Sequence, residues 1–394
     1  MPVRPRFTVL TTVGVSLKSN LDAMSKHSES ACQEPAVPGG SAPEDEHLLR
    51  ELVVAYQNQD WVRVGRLLRG IDPTRRLCGA EINSTADLLQ LGYVERGSLQ
   101  LLCSDTPDGR AMAQALREYF VGDRWQVEVR FVGDLRDDQP RLFRTRGLRN
   151  LVREMGNIFR ERGKESCAIN ATGGYKAQIA IAVLLGQALQ VPVYYKFERF
   201  SEIVPFPGMP VALDFRLWLE HNDLFSVLGR GADVAPWEMF RDRWDERLET
   251  LVDRETVDGV EYIALNATGQ IFHEALRDEF NRRGAAQLPP PAARKGRAVL
   301  GDEGFEQAAT PIRTYMETII RDVPYVHSCR TIYWNPDLPE RSRFAYSQDQ
   351  ILGIYSNGSW CVKFLVFTTA ESPEQRRVAV AHLNDWLDAR GGTG

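Results

Sequence analysis

The residues best arranged for chemistry lie in Ala168-Ile169-Asn170-Ala171-Thr172-Gly173-Gly174-Tyr175-Lys176-Ala177. There a buried-type strand breaks into a glycine turn with one lysine and runs on into an apolar helix, from about Tyr175 to Leu189. Paired glycines let backbone N–H groups approach a ligand closely, the helix directs its positive end at the turn, and Lys176 adds a full charge. That is the chemistry of an anion site. Tyr175 separates the glycines from Lys176, and no GxGxxG is present, so neither a P-loop nor a dinucleotide fingerprint fits.

A second corner of this kind opens the chain, where the β-rich Phe7-Thr8-Val9-Leu10-Thr11-Thr12-Val13 ends in Gly14-Val15-Ser16-Leu17-Lys18-Ser19-Asn20. A third loop, Cys103-Ser104-Asp105-Thr106, follows a strand expected over Ser98 to Cys103. In an open parallel α/β sheet the carboxyl ends of the strands line one crevice, so loops distant in sequence can converge on one ligand.

The last stretch, 305–394, holds a different set. Arg330, Tyr333, Arg341, Arg343, Tyr346, Tyr355 and Lys363 fall on expected strands and their connections, with no obvious paired carboxylate and only His327 nearby. Tyrosine stacks on bases and Arg and Lys bind phosphate. A cation can also stabilise a pentavalent phosphorane while the 2′-hydroxyl of RNA attacks, so neither a metal nor a hydrolytic water is needed.

Strand and helix patterns must position these groups. Residues 22–46 are polar and rich in Pro, Gly and Ser and read as a surface loop within an insertion at about 18–75. Helical patterns follow at His47 to Gln57 and Trp61 to Arg69, then at Arg110 to Phe120 between strands Ser98 to Cys103 and Val127 to Val132, then from about Leu142 to Arg162. This alternation is that of a doubly wound sheet. From Phe215 the texture changes to helices with Trp218, Trp237 and Trp244, a strand Val260 to Asn266, and a helix Gln270 to Arg283, the order of a small winged-helix-like module over 216–284. Asn-Ala-Thr-Gly recurs at 266–269 without the second glycine or the lysine and reads as a strand-to-helix turn. Three successive prolines at 289–291 make 285–304 a stiff linker. The final segment reads as helix, four short strands and a closing helix Pro373 to Ala389, an α+β unit with an antiparallel sheet. Asn357-Gly358 is its hairpin turn, and Trp360 to Phe367 its buried central strand.

Composition bounds the class. At 394 residues, 43% hydrophobic and 26% charged, the chain can build two or three cores. A net charge of -5 argues against indiscriminate coating of nucleic acid, so any such site is a local patch. The six cysteines, Cys32, Cys78, Cys103, Cys167, Cys329 and Cys361, form no CxxC pair, and no structural metal is expected. No apolar run reaches the length of a membrane span, which leads to the expectation of a cytoplasmic protein with free thiols and no membrane partner.

The Thr-Val-Gly-Val-Ser-Leu of the first corner, the Asn-Ala-Thr-Gly-Gly-Tyr-Lys of the second, and Val193-Tyr194-Tyr195-Lys196-Phe197-Glu198 followed by Ile203-Val204-Pro205-Phe206-Pro207 resemble the CARF domain of CRISPR-associated proteins. The resemblance covers roughly residues 1–215. It implies a Rossmann-like α/β fold, a homodimer, and cyclic oligoadenylate, most simply cyclic tetra-adenylate, as allosteric activator in place of any cofactor. By position it puts Thr12, Gly14, Ser16 and Leu17 in the first ligand loop and Asn170, Thr172, Gly173, Gly174 and Lys176 in the second, with Ser104 and Asp105 on the same edge. Ser16 and Lys176 would be the groups that assist cleavage of the ring in self-cleaving members. Residues 305–394 resemble the RelE-type messenger RNA interferases in element order and in their Arg, Lys and Tyr content. This implies ribosome-associated mRNA cleavage, with Arg330, Arg341, Arg343, Tyr346, Tyr355 and Lys363 as catalytic candidates. Two other readings stay open: a ligand-gated winged-helix transcription regulator, and a ring nuclease that only removes the signal.

Overall fold

The computed structural model describes residues 5–31, 43–197, 202–230, 234–283, 287–301, 308–336 and 340–391. Two compact units result, one of residues 1–211 with 266–271 and the other of 212–265 with 272–394. Among the described residues, no helix is long and apolar enough to cross a membrane.

The first unit runs β1 (Arg6–Thr12), α1 (Ser16–Ala31), α2 (Pro43–Gln57), α3 (Trp61–Leu68), α4 (Gly79–Gln90), β2 (Val94–Ser104), α5 (Pro107–Gly122), β3 (Gln126–Val132), the single turn α6 (Pro140–Leu142), α7 (Leu148–Arg162), β4 (Cys167–Asn170), α8 (Lys176–Leu189), β5 (Val193–Lys196) and β6 (Ile203–Phe206). Its six strands are ordered β3-β2-β1-β4-β5-β6, all parallel except β6. β1 is central and covered on both faces, which is why Val9, Leu10, Thr11 and Thr12 are all fully buried with no apolar-polar alternation. Because β1 lies between β2 and β4, the carboxyl ends of these three strands are neighbours.

Helices α1, α2 and α3 of the expected insertion at 18–75 pack into the core. Leu17, Leu21 and Met24 repeat at helical spacing along α1, and Leu52, Ala55, Val64 and Leu68 bury with them. The polar residues between those leucines hid the stripe in composition. Residues 32–42 and Glu198 lie outside the described residues. The helix expected from Leu142 is regular only from Leu148, since a turn of π-helix occupies Phe143–Gly147.

The second unit holds α9 (Phe215–Glu220), α10 (Asn222–Gly229), β7 (Ala235–Pro236), β8 (Val252–Val257), β9 (Val260–Leu265), α11 (Ala267–Arg283) from Phe272 onward, β10 (Ala298–Val299), α12 (Ala309–Asp322), β11 (Val326–Asn335), β12 (Arg343–Ser347), β13 (Gln350–Ser356), β14 (Cys361–Thr368) and α13 (Pro373–Ala389). The start expected at Phe305 lies outside the described residues. Asn266 Oδ1 accepts from the Gly269 N–H at 2.9 Å, so the repeated Asn-Ala-Thr-Gly is a helix cap. Two sheets form, β7-β9-β8 and β10-β11-β14-β13-β12, and β14 is central in the second as expected. At its hairpin, Gly358 takes φ +90 while Asn357 Oδ1 accepts from the N–H groups of Ser359 and Trp360.

The segment read as a stiff linker is docked over its described residues, 287–301. Ala292 N–H donates to the Pro324 carbonyl at 3.0 Å, Gly296 N–H to that of His327 at 2.6 Å, and β10 pairs in parallel with Cys329 and Arg330 of β11. Lys295 Nζ donates to the carbonyls of Val323, Pro324 and Val326 at 2.6–2.9 Å, just past the end of α12. An extended segment keeps its N–H groups free, and an open sheet edge accepts them.

The helices of 215–229 and 272–283 and the C-terminal sheet form one unit. Asp388 on α13 pairs with Arg230 and, at 3.2 Å, with Arg277; Asp385 pairs with Arg277 at 2.8 Å. Asn384 closes the outer edge of β12 by accepting from Phe344 N–H and donating to its carbonyl, both at 2.9 Å.

Candidate functional site

In the first unit the three expected loops do converge. Thr12 at the end of β1 donates its hydroxyl to the Gly173 carbonyl, tying the first loop to the second. A Cβ on Gly14 would stand 2.5 Å from the Gly174 nitrogen, so only glycine lets the loops touch, and Gly174 itself sits at φ +97. The third loop adds Ser104, whose hydroxyl lies 2.9 Å from that of Thr106, the N-cap of α5. Val13, Gly14, Val15, Ser104, Gly109, Gly174 and Tyr175 surround a cleft of about 60 Å³. That holds a few waters, so a nucleotide ligand would rest on the rim.

The candidate residues divide by role. Lys176 is exposed on the first turn of α8, and among the described residues of these loops it is the cation left without an acid partner. Lys18 is taken by Asp108 at 2.7 Å, and Asp105 is taken by Arg110 at 2.6 Å. Leu17 is 1% exposed and belongs to the core. Asn170 is fully buried, donating to Ser84 Oγ at 2.8 Å and accepting from Thr172 Oγ1 at 2.7 Å, while Thr172 accepts from Lys196 N–H at 3.1 Å. Asn170 and Thr172 therefore shape the second loop from beneath.

Sequence reasoning missed Glu81. It is fully buried on α4, and its Oε1 accepts from the Gly14 N–H at 2.7 Å, the donor expected to face a ligand. The same oxygen lies 2.1 Å from where a Cβ on Gly173 would be, so the carboxylate fills the space between both loops. Burial pushes the Glu81 carboxyl up, against hydrogen bonds from Gly14, its own N–H and Ser16. Ser16 Oγ accepts from Ala80 N–H at 3.0 Å and lies 3.5 Å from Glu81 Oε2, so its hydroxyl is turned inward. Also missed was the arginine turn: Phe143 meets Tyr175 edge-on at 5.4 Å and is followed by the exposed Arg144 and Arg146. The basic run 141–146 was its signal.

In the second unit, strand register sorts the C-terminal candidates. Val362, Phe364 and Val366 of β14 point into the core, so Lys363 faces the other way. Directly paired residues share a face, and Arg343, Ile354, Lys363 and Tyr333 form one row across β12, β13, β14 and β11, with Arg330 opposite Leu365 on the same face. The structure thus brings Arg330, Arg343 and Lys363 together with Tyr333, whose ring centroid is 5.5 Å from Lys363 Nζ. Tyr355 and Tyr346 pair with Val362 and Ile351 and lie on the helix-packed face, away from them. Tyr355 stacks against Tyr315 at 4.5 Å and burial pushes its phenol up; Tyr346 donates to Asp349 at 2.6 Å. Arg341 is half-buried and its carbonyl accepts from Arg343 at 3.3 Å.

A paired carboxylate, not foreseen, completes this row. Glu340 Oε1 lies 2.7 Å from Lys363 Nζ, and Oε2 lies 3.1 Å from an Arg343 terminal nitrogen. Burial alone would raise the Glu340 carboxyl, but Lys363 and Arg343 outweigh it and hold the carboxyl below its ordinary value.

Residues 76–209 match a family described as CRISPR-associated protein (Cas_APE2256). Over this stretch the chain is similar to CRISPR-associated proteins. The match spans about a third of the chain and includes α4, the third loop and the second loop. No curated protein matches. Among solved structures, Can2 from Sulfobacillus thermosulfidooxidans in complex with cyclic tetra-adenylate shares 12% identity, covering 50% of this chain, with a TM-score of 0.20. The chain spans 62% of that Can2 chain, less than two thirds of its length. Protein VC1899 from Vibrio cholerae shares 9% identity over 69% of this chain and 70% of its own, with a TM-score of 0.19.

Proposed function

We propose that this chain is a cyclic-oligoadenylate-activated ribonuclease of type III CRISPR defence. The first unit binds the cyclic ligand, with cyclic tetra-adenylate the expected ring, over the rim formed by Gly14, Gly174, Tyr175, Ser104 and Lys176. A second copy of the chain completes the cradle. The second unit cleaves messenger RNA on the sheet face of Arg343, Lys363, Tyr333 and Arg330, with ribosomes presenting the message and the 2′-hydroxyl of the RNA as nucleophile. What supports the reading is the place of the second loop: inside the stretch similar to CRISPR-associated proteins, and against the first loop at the end of a parallel sheet. There an exposed lysine and a helix N-terminus meet any anion that settles on the glycines.

The chemistry of the second site follows from its charges. Lys363 and Arg343 can hold the two non-bridging oxygens of a phosphodiester and stabilise the charge that grows as the 2′-oxygen attacks phosphorus, and Tyr333 offers a stacking face. The P–O5′ bond breaks, leaving a 2′,3′-cyclic phosphate and a 5′-hydroxyl that takes up a proton to match the one the 2′-hydroxyl gives up. The test is RNA integrity in a translation extract, with and without cyclic tetra-adenylate and with EDTA present. Cleavage is expected only with the activator, lost in Arg343→Ala and Lys363→Ala, and lost in Lys176→Ala through failure to bind the ring. RNA left intact by the wild-type protein with tetra- and hexa-adenylate would sink the reading.

A further inference from the structure

We infer that Glu340 is an internal stand-in for phosphate, which keeps the cation row of the second unit occupied until an anionic ligand replaces it. The inference deepens the ribonuclease reading and rests on it only for the identity of the anion. A phosphodiester offers two oxygens to two cations, and Glu340 offers its two oxygens to Lys363 and Arg343 in that way, at 2.7 and 3.1 Å. The arrangement is enclosed, with the Glu340 and Arg343 side chains 14% and 8% exposed, so screening by solvent is weak and the occupant matters. Glu340 does not exhaust the site. One carboxylate faces two cations, which leaves a net positive charge, and the buried Arg343 Nε–H has no acceptor among the described residues. Lys363 keeps Tyr333 on its other side, so a nucleotide that displaces Glu340 meets a stacking ring next to the phosphate position.

The competition has a direct readout that requires no RNA chemistry. Binding of inorganic pyrophosphate to the full chain would be measured by calorimetry for the wild type and Glu340→Gln. Binding of a short single-stranded RNA would be measured by anisotropy. Glutamine keeps an acceptor for the cations but removes the competing charge, so both anions should bind the variant at least about ten-fold more tightly. The gain should vanish in the Glu340→Gln, Lys363→Ala double variant. Cleavage by Glu340→Gln should also lose part of its dependence on the activator. Unchanged or weaker pyrophosphate binding by a variant that still unfolds cooperatively, well above the temperature of the binding assay, would overturn the inference. So would lost cleavage with unchanged anion binding, since Glu340 would then act in proton transfer. If Glu340→Gln fails to fold, Glu340→Asp, which keeps the charge but is too short to span both cations, should still bind pyrophosphate more tightly than the wild type, and no gain there overturns the inference. A wild-type protein that never cleaves RNA defeats the ribonuclease reading and leaves the pyrophosphate comparison standing.

Discussion

Two glutamates of opposite electrostatic character, Glu81 buried and Glu340 half-buried, sit at the two candidate sites. Glu81 has backbone N–H groups and a serine as partners and its carboxyl is pushed up; Glu340 has two cations and its carboxyl is held down. Linkage gives them opposite signatures. A carboxyl raised by folding contributes stability that is complete in acid and fades as pH rises through the folded value, whereas a lowered one contributes above the unfolded value and fades as pH falls. Thermal unfolding of Glu81→Gln should therefore match the wild type near pH 4.5 and exceed it increasingly toward pH 8, because glutamine keeps the Gly14 bond and never ionises. A difference that stays flat across this range would show that Glu81 is not the group that titrates. Glu340→Gln should differ in the other sense, losing stability relative to wild type as pH rises from acid to neutral.

At the level of elements, the first site is a contact between two loops that follow neighbouring parallel strands. Gly14→Ala puts a methyl against the Gly174 nitrogen, which is main chain and cannot rotate away. The expected cost is about 1–3 kcal/mol of stability, with loss of cyclic-oligoadenylate binding, read by thermal melts with and without ligand. Wild-type affinity in Gly14→Ala would mean that the ligand does not sit on this junction. In the second unit the alternation of strand side chains does the sorting. A one-residue shift of β14 would carry Lys363 to the core face, and one of β13 would carry Tyr355 to the open face, so the row Arg343, Ile354, Lys363, Tyr333 depends on the register of β14 between β11 and β13. The docked segment 287–301 secures that sheet at the β10 edge, and Asn384 at the β12 edge.

For the whole molecule, the two units bury their thiols as they bury their leucines. Cys78, Cys103, Cys167, Cys329 and Cys361 are free and inside; burial pushes Cys78 and Cys329 up to about 12 and Cys167 to about 11. In a Cys32→Ser protein, thiol reagents at pH 8 should therefore label these five at the rate of unfolding. Fast stoichiometric labelling under native conditions would contradict the packing. With a net charge of -5, the ribonuclease reading predicts that RNA contact is local to the cation row of Arg343 and Lys363 and that its salt dependence is that of few phosphates.

The amino-acid sequence by itself determined the strand ends and glycine turns, because positive φ, close backbone approach and continuous apolar runs each restrict which residues can stand there. Gly173-Gly174, Asn357-Gly358 and the central place of the apolar strand β14 were legible for that reason, although β14 buries one face only and Phe367 is exposed. It did not determine that α1 belongs to the core, since a narrow apolar stripe on a polar helix leaves little trace in composition. The partners of the charged groups were decided only by the tertiary structure. Glu81 reaches Gly14 across 67 positions, and Glu340 meets Lys363 only after β14 has paired between its neighbours. Charge interactions depend on distance in space, which nothing along the chain encodes until strand order and register place the side chains.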